Sequence, residues 1–214
     1  YSGTASGTDY TALSSSITIP AGSLTGTTTI DPTDDNIDEV SETVIANITN
    51  VTGGCASEDG TQVATITIVD NDGAPTVTAI TSASATEGSA VDFTFTLSNP
   101  SAVAVDYTFT LTNGTAGSSD YTTTNVVVSV PAGATSATVS VPTTTDTIDE
   151  SDETFTIATG TVSATGTILD NNTAPTVTAI TSASATEGSA VDFTFTLSNP
   201  SAVAVDYTFT LTNG

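Results

Sequence analysis

Between positions 91 and 97, apolar and polar residues alternate without a break. Val91, Phe93, Phe95 and Leu97 fall on one side, and Asp92 with two threonines on the other. The same period of two recurs in Val103, Val105, Tyr107, Phe109 and Leu111, and again in Val126, Val128 and Val130. After Pro131-Ala-Gly it resumes in Ala137, Val139 and Val141. Phe155 and Ile157 form a further run, and Thr165, Thr167 and Leu169, alternating with Ile168, another. A period of two sends successive side chains to opposite faces, so each run predicts a half-buried β-strand. Threonine and valine dominate these runs, and β-branching favours strands. No helical apolar stripe is present, and no apolar run approaches the ~18 residues of a membrane-spanning helix.

Seven short strands in about 100 residues, punctuated by Gly, Pro and Asn, predict an all-β fold of the immunoglobulin-like sandwich type. The competing architecture is an open β-solenoid, whose repeats are far shorter. The repeat itself is explicit. Residues 74–114 and 174–214 are identical. A second similarity links Asp35-Asn-Ile-Asp-Glu to Asp146-Thr-Ile-Asp-Glu, and Pro20-Ala-Gly22 to Pro131-Ala-Gly133. The chain therefore divides into the back of one sandwich (1–72), a complete sandwich (73–172) and the front strands of another (173–214). Thr52-Gly-Gly-Cys-Ala-Ser-Glu-Asp-Gly60 lies in a segment with no counterpart in the second copy and reads as a surface loop. Joining Gly214 to Tyr1 reproduces the internal Leu111-Thr-Asn-Gly114 junction, as expected of a window on a longer tandem array. Strand exchange between molecules would give the same complementarity.

The composition excludes much. Charged residues make up 11% of the chain, against roughly 25% in ordinary domains, and all have one sign: 24 Asp plus Glu, no Lys, Arg or His, net charge −24. Nucleic-acid phosphates have no partner here. A Ser-His-Asp or Cys-His nucleophile pair, a Schiff-base lysine and a Walker lysine are all ruled out. The single Cys55 can form no internal disulfide or cysteine-rich zinc site. High net charge alone signals disorder, but the apolar content and its period oppose that reading.

The acids cluster. Asp146, Asp149, Glu150, Asp152 and Glu153 crowd the connection between the Ala137–Val141 run and the Phe155–Ile157 run, and Asp120 and Asp170 border strands. Alternate connections of a sandwich lie at one end, so these groups can converge. Converging carboxylates repel unless protons or cations neutralise them, and the chain has no basic side chain to do so. Oxygen donors select hard cations, and a loose mixed set suits Ca²⁺ better than the stricter octahedron of Mg²⁺. A solvated acidic loop is the alternative. Asp92 and Asp106, on outward strand faces, read as edge protection rather than ligands. Paired carboxylates could serve glycoside hydrolysis, but no aromatic sugar platform accompanies them.

Thr86-Glu87-Gly88, Ser119-Asp120-Tyr121, the Asp146–Glu153 run followed by Phe155, and Ile168-Leu-Asp-Asn-Asn172 together resemble the Calx-β domain, a calcium-binding sandwich of sodium–calcium exchangers and bacterial surface proteins. The resemblance implies Glu87, Asp120, Asp146, Glu150, Glu153 and Asp170 as Ca²⁺ ligands, with a backbone carbonyl from Ile148. In the first copy it implies Asp9, Asp35, Glu39, Glu42, Asp70 and Asp72, with Asp34 beside them; in the third it implies Glu187. Asn171 and Asn172 replace the last two acids of the family's terminal triplet, which removes two charges. A cation at Asp70–Asp72 would stand at a junction between repeats and stiffen it; a flexible linker is the alternative.

Near-identical tandem units also resemble the stalks of large secreted adhesins of the Bacteroidetes type, some of which serve gliding motility. That resemblance implies an extracellular, cell-surface location. Its partners would be neighbouring repeats and other copies in a filament, with no nucleic acid and no membrane insertion in this segment. The physical logic is consistent: repetition adds length, uniform charge keeps filaments apart, and a chain without Met resists oxidation. A calcium-sensing regulatory module is the competing class. An enzyme is disfavoured by the missing side chains.

Overall fold

A computed structural model describes residues 3–12 and 14–213. Tyr1 and Gly214, which carry the end-to-end resemblance, lie outside the described residues. The chain forms two compact units. The first comprises Tyr1–Thr76, Ser98–Val105 and Pro131–Thr135; the second comprises Val77–Leu97, Asp106–Val130 and Ser136–Gly214.

In the first unit β1 (Tyr10–Ala12) pairs antiparallel with β2 (Ile30–Pro32), and β3 (Glu42–Asn47) with β4 (Val63–Ile68). The β3–β4 hairpin is in unbroken register from Glu42 opposite Ile68 to Asn47 opposite Val63. Its connection carries the loop expected from the sequence, exposed throughout residues 53–57, with Cys55 in a left-handed conformation at φ 54°.

The second unit begins with β5 (Val77–Ile80), β6 (Ala83–Thr86), β7 (Val91–Leu97) and β8 (Val105–Asn113). It continues with β9 (Val126–Val130), β10 (Ser136–Val141), β11 (Glu153–Thr159) and β12 (Val162–Leu169). One sheet runs β10-β7-β5 and the other β6-β12-β11-β8-β9. The apolar alternation of β7 translates directly into burial, with each odd residue from Val91 to Leu97 inside and each even one exposed. Phe93, Phe95, Phe109, Phe155 and Ile157 are fully inaccessible. Phe93 meets Phe155 edge-on at 5.8 Å between ring centroids, and Tyr121 stacks on Phe155 at 4.4 Å. Gly166 stands opposite Phe155 on the neighbouring strand, and a Cβ there would lie 2.5 Å from the Phe155 ring and 2.7 Å from Phe93. The glycine is what allows the two rings to close over β12.

Three expectations need correction. Residues 73–172 form eight strands instead of the seven expected, because their opening segment divides between the sheets. β5 pairs antiparallel with β7, whereas β6 pairs parallel with β12. The second run starts at Val105, not Val103; Val103 is 59% exposed, and its N–H is taken by the Ser101 hydroxyl. Asp92 and Asp106 do not guard edges, since β7 and β8 are interior strands of their sheets. Asp92 instead accepts a hydrogen bond from Ser140, directly across on β10, at 2.5 Å.

Beyond residue 172, β13 (Val177–Ile180) pairs with β14 (Phe195–Leu197) in the register of β5 with β7, including the same irregularity.

Because Phe155 touches both the opposite sheet and Tyr121, Phe155→Ala should lower stability by about 3–5 kcal/mol. Val127→Ala, at an exposed position, should cost under about 0.5 kcal/mol. Denaturant titration of the two variants checks the contrast.

Candidate metal centre

Local devices place several acidic side chains of the second unit. Thr86-Glu-Gly-Ser89 is a tight turn, closed by the Ser89 N–H donating to the Thr86 carbonyl at 3.0 Å. Gly88 supplies its φ of 79°, a conformation costly for other residues. The turn follows β6, and the Glu87 N–H donates to the Leu169 carbonyl at 3.0 Å, so Glu87 is fixed beside the end of β12. Asp146 accepts the Ile148 N–H at 2.7 Å, an Asx turn that bends the acidic loop. Asp120 accepts the Gly117 N–H at 2.6 Å, while its own carbonyl accepts from Thr144 at 2.8 Å. Asp170 bridges: one carboxylate oxygen accepts the Glu150 N–H at 3.3 Å and the other the Asn172 N–H at 3.2 Å.

These devices deliver Glu87, Asp120, Asp146, Glu150, Glu153 and Asp170 to one cavity, which Ser119, Thr144, Ser151 and Ile168 also line. Carboxylate oxygens of Asp120, Glu150 and Glu153 come within 4.8 Å of one another. Ile148 does not line the cavity; its observed contribution is the N–H that holds Asp146.

The first unit repeats the design. Asp9, Asp35, Glu39, Glu42, Asp70 and Asp72 line a second cavity with Thr33 and Asn71. Oxygens of Asp9, Glu39 and Glu42 again fall within 4.8 Å. Asp35 accepts the Ile37 N–H at 2.8 Å, and Asp70 takes the N–H groups of Glu39 at 3.1 Å and Asp72 at 3.3 Å. Asp9 accepts the Ser6 N–H as Asp120 accepts that of Gly117. Asp34 stands aside, accepting from the Asn71 amide at 3.0 Å. Glu187 is exposed and lines neither cavity.

Asn172 is a participant that charge-based reading passed over. Its amide donates to Glu87 Oε1 at 2.7 Å and to Asp170 Oδ1 at 3.3 Å, tying together acids that repel each other. An asparagine standing where the first copy has Asp72 is the signal that could have identified it.

Several of the cavity acids hold protons more tightly than free carboxylates do. Burial pushes Glu153 up from 4.5 to about 7, helped by its hydrogen bond and repulsion with Asp120 and by the charges of Glu150 and Asp146. Glu150 is raised by burial, then by Asp146, Asp120, Asp170 and Glu87. Glu87 is raised by burial and by Asp146 and Asp170, against N–H donors of Asp146 and Asn171. In the first unit burial and neighbouring acids raise Glu39, Glu42 and Asp72, whereas the Ser6 N–H lowers Asp9. A convergent set of carboxylate and hydroxyl oxygens with no nitrogen or sulfur donor fits a hard divalent cation.

An all-β chain with an acid-lined cavity in each compact unit is thus the class of protein defined by fold and site. The Calx-beta domain family model matches residues 1–72 and 81–186, so the chain belongs to that family. Similar solved structures include CBD12 from CALX1.2, with 19% identity, a TM-score of 0.38, and 46% of each chain covered. The calcium binding domain CBD12 of CALX1.1 gives 19% identity and a TM-score of 0.39, over 46% of this chain and 47% of that one. The apo-form Calx CBD1 domain gives 18% identity and a TM-score of 0.37, over 44% of this chain and 98% of that one. The chain thus spans about half the length of the two CBD12 structures. Comparison with curated proteins finds no significant match.

A carboxyl raised in the fold binds a proton that the unfolded chain has already released. For Glu153 this holds between 4.5 and about 7. Stability of the metal-free chain should therefore fall as pH rises through that window and level off above it. Melting midpoints in chelator from pH 4.5 to 8 should show this fall, and Glu153→Gln should flatten it.

Proposed function

We propose that this chain is a calcium-stabilised segment of a repetitive stalk, part of a large secreted cell-surface adhesin used for surface attachment or gliding. The observation that carries the reading is the paired occurrence of one acid-lined cavity per unit in a chain with no Lys, Arg or His. Beyond the proton shared by a raised Glu153, divalent cations are the neutralisers near neutral pH. The second-unit cavity would hold Ca²⁺ through Asp120, Glu150 and Glu153, with Glu87, Asp146 and Asp170 around them. Ca²⁺ accepts six to eight oxygens in flexible geometry, which suits this mixed donor set better than it suits Mg²⁺. In this role a cation staples the acidic loop to neighbouring strand ends and does no chemistry.

A stalk is favoured over a sensor by repetition. Two segments of identical sequence in one chain add length without adding a new site type. The uniform negative charge keeps extended filaments apart in solution, and a surface without basic residues offers trypsin-like proteases no cleavage site. Membership of the Calx-beta family supports a binding module rather than a catalyst.

Thermal melting of the whole chain tests this reading. A ligand that binds only the folded state adds about 2.7 kcal/mol at a hundredfold excess over its dissociation constant. Ca²⁺ should raise the midpoint more than equimolar Mg²⁺, and Glu150→Gln should remove most of the second unit's gain. Equal curves in Ca²⁺ and chelator would leave the acidic loops merely solvated and overturn the proposal.

A further inference from the structure

One acid of each Asp-x-Ile-Asp-Glu loop stays out of the cavity. Asp149 lies between Ile148 and Glu150 yet does not line the pocket, and Asp38 behaves likewise. Both are engaged elsewhere, on the Ser-Asn-Pro-Ser turn of the following repeat. In the second unit the Asp149 N–H donates to the Pro200 carbonyl at 3.0 Å, and the Asp149 carbonyl accepts the Ala202 N–H at 3.0 Å. The Ser201 hydroxyl lies 3.2 Å from Asp149 Oδ2 and 3.3 Å from its carbonyl oxygen. In the first unit the corresponding distances are 3.1 Å from the Asp38 N–H to the Pro100 carbonyl and 2.9 Å from the Ala102 N–H to the Asp38 carbonyl. Ser101 Oγ lies 3.1 Å from Asp38 Oδ2 and 3.3 Å from its carbonyl oxygen. Each contact forms an isolated parallel bridge, Asp38 with Ser101 and Asp149 with Ser201. Ser101 is only 4% exposed.

The turn is also built to receive the strand-to-strand linker. Ser198 donates to Asn199 Oδ1 at 2.6 Å, which orients the amide. The amide nitrogen then donates to the Thr173 carbonyl at 2.8 Å and to the Pro200 carbonyl at 3.2 Å. Ser98 and Asn99 do the same, the latter reaching the Gly73 carbonyl at 2.9 Å. Because only a backbone carbonyl is used, Gly73 and Thr173 serve equally. All four residues of the tetrapeptide are thus occupied. The first serine aims the asparagine, and the asparagine holds the linker. The proline carbonyl takes the Asp N–H, and the last serine clasps the carboxylate. Proline fixes the turn's backbone in advance, which reduces the ordering cost of docking.

We propose that the Ser-Asn-Pro-Ser turn of each repeat is a docking element for the Asp-x-Ile-Asp-Glu loop of the repeat before it, with Asp38 and Asp149 as joint residues and not cation ligands. The motif pair, and not the linker sequence, sets the junction. A repeat with Ser-Asn-Pro-Ser accepts any predecessor that carries an acceptor at this loop position, so the joint can be copied without limit along an array.

Residue-resolved amide hydrogen exchange on the whole chain tests this, and it needs no cation to bind, so it succeeds or fails apart from the calcium reading. The Asp149 and Ala202 amides should be protected in the parent chain. Ser201→Ala and Asp149→Ala should each speed their exchange by about tenfold, the scale set by losing a charge-assisted hydrogen bond. The Asp38 and Ala102 amides should not change in these variants, and amides of the β11–β12 hairpin report whether the fold is intact. Asp149→Asn keeps an oxygen acceptor and should retain the protection. The proposal is overturned if Asp149 and Ala202 exchange in the parent chain as fast as an unstructured peptide, if Ser201→Ala leaves them unchanged, or if Asp149→Asn loses protection as fully as Asp149→Ala.

Discussion

Carboxylate repulsion with no basic side chain to relieve it is the constraint around which this protein is arranged. The chain carries 24 acids and no Lys, Arg or His, so an ion pair between side chains cannot form. Backbone N–H groups and asparagine amides take the place that arginine fills elsewhere. Asp70 and Asp170 each take two backbone donors, one from the acidic loop and one from the residue two positions on. Asn172 reaches across to Glu87. What these donors cannot absorb remains as raised proton affinity at Glu87, Glu150 and Glu153, which is the electrostatic demand a divalent cation would meet.

That arrangement depends on a rigid frame close by. Tyr121, the neighbour of Asp120, is 2% exposed, stacks on Phe155 and donates its hydroxyl to Asn113 at 2.7 Å. Phe155 in turn lies two residues from Glu153. The aromatic cluster therefore anchors two of the three closest carboxylates from below, and their spacing is set by core packing and not by the acids themselves. The parallel pairing of β6 with β12 adds Glu87 to the same end. An acidic loop on a looser scaffold would let its charges spread into solvent, and the site would lose its definition.

Much of this was legible in one dimension. The period of two gave the strands, and the acids' clustering pointed to Asp120, Asp170 and the Asp146–Glu153 loop meeting, since a sandwich returns alternate connections to one end; Glu87 and the first-copy acids came from the resemblance. All six acids expected in each cavity line it. Other features were not legible, for particular reasons. The division of residues 77–86 between two sheets leaves no trace in an apolar pattern that both halves share. The Ile148 N–H holds Asp146, a turn set by loop conformation that charge counting does not reveal. Asp149 carries the same charge as its neighbours, and only its partner on a different repeat separates it from them. Asp92 and Asp106 looked like edge guards because sequence gives strand faces but not strand order.

The identical segments 74–114 and 174–214 separate the two kinds of information. Both form the same pairing of first strand with second, because that hairpin-range contact is encoded within the segment itself. Both form the same Ser-Asn-Pro-Ser turn, also a local structure. Yet Ala83–Thr86 is a strand beside β12, whereas residues 183–186 have no strand pairing, and Phe93 is fully buried where Phe193 is 48% exposed. The sequence by itself determined face, period, turn and charge. Burial, sheet membership and the gathering of carboxylates came only from the tertiary structure, because each needs partner strands such as β10, β11 and β12 that the segment does not contain.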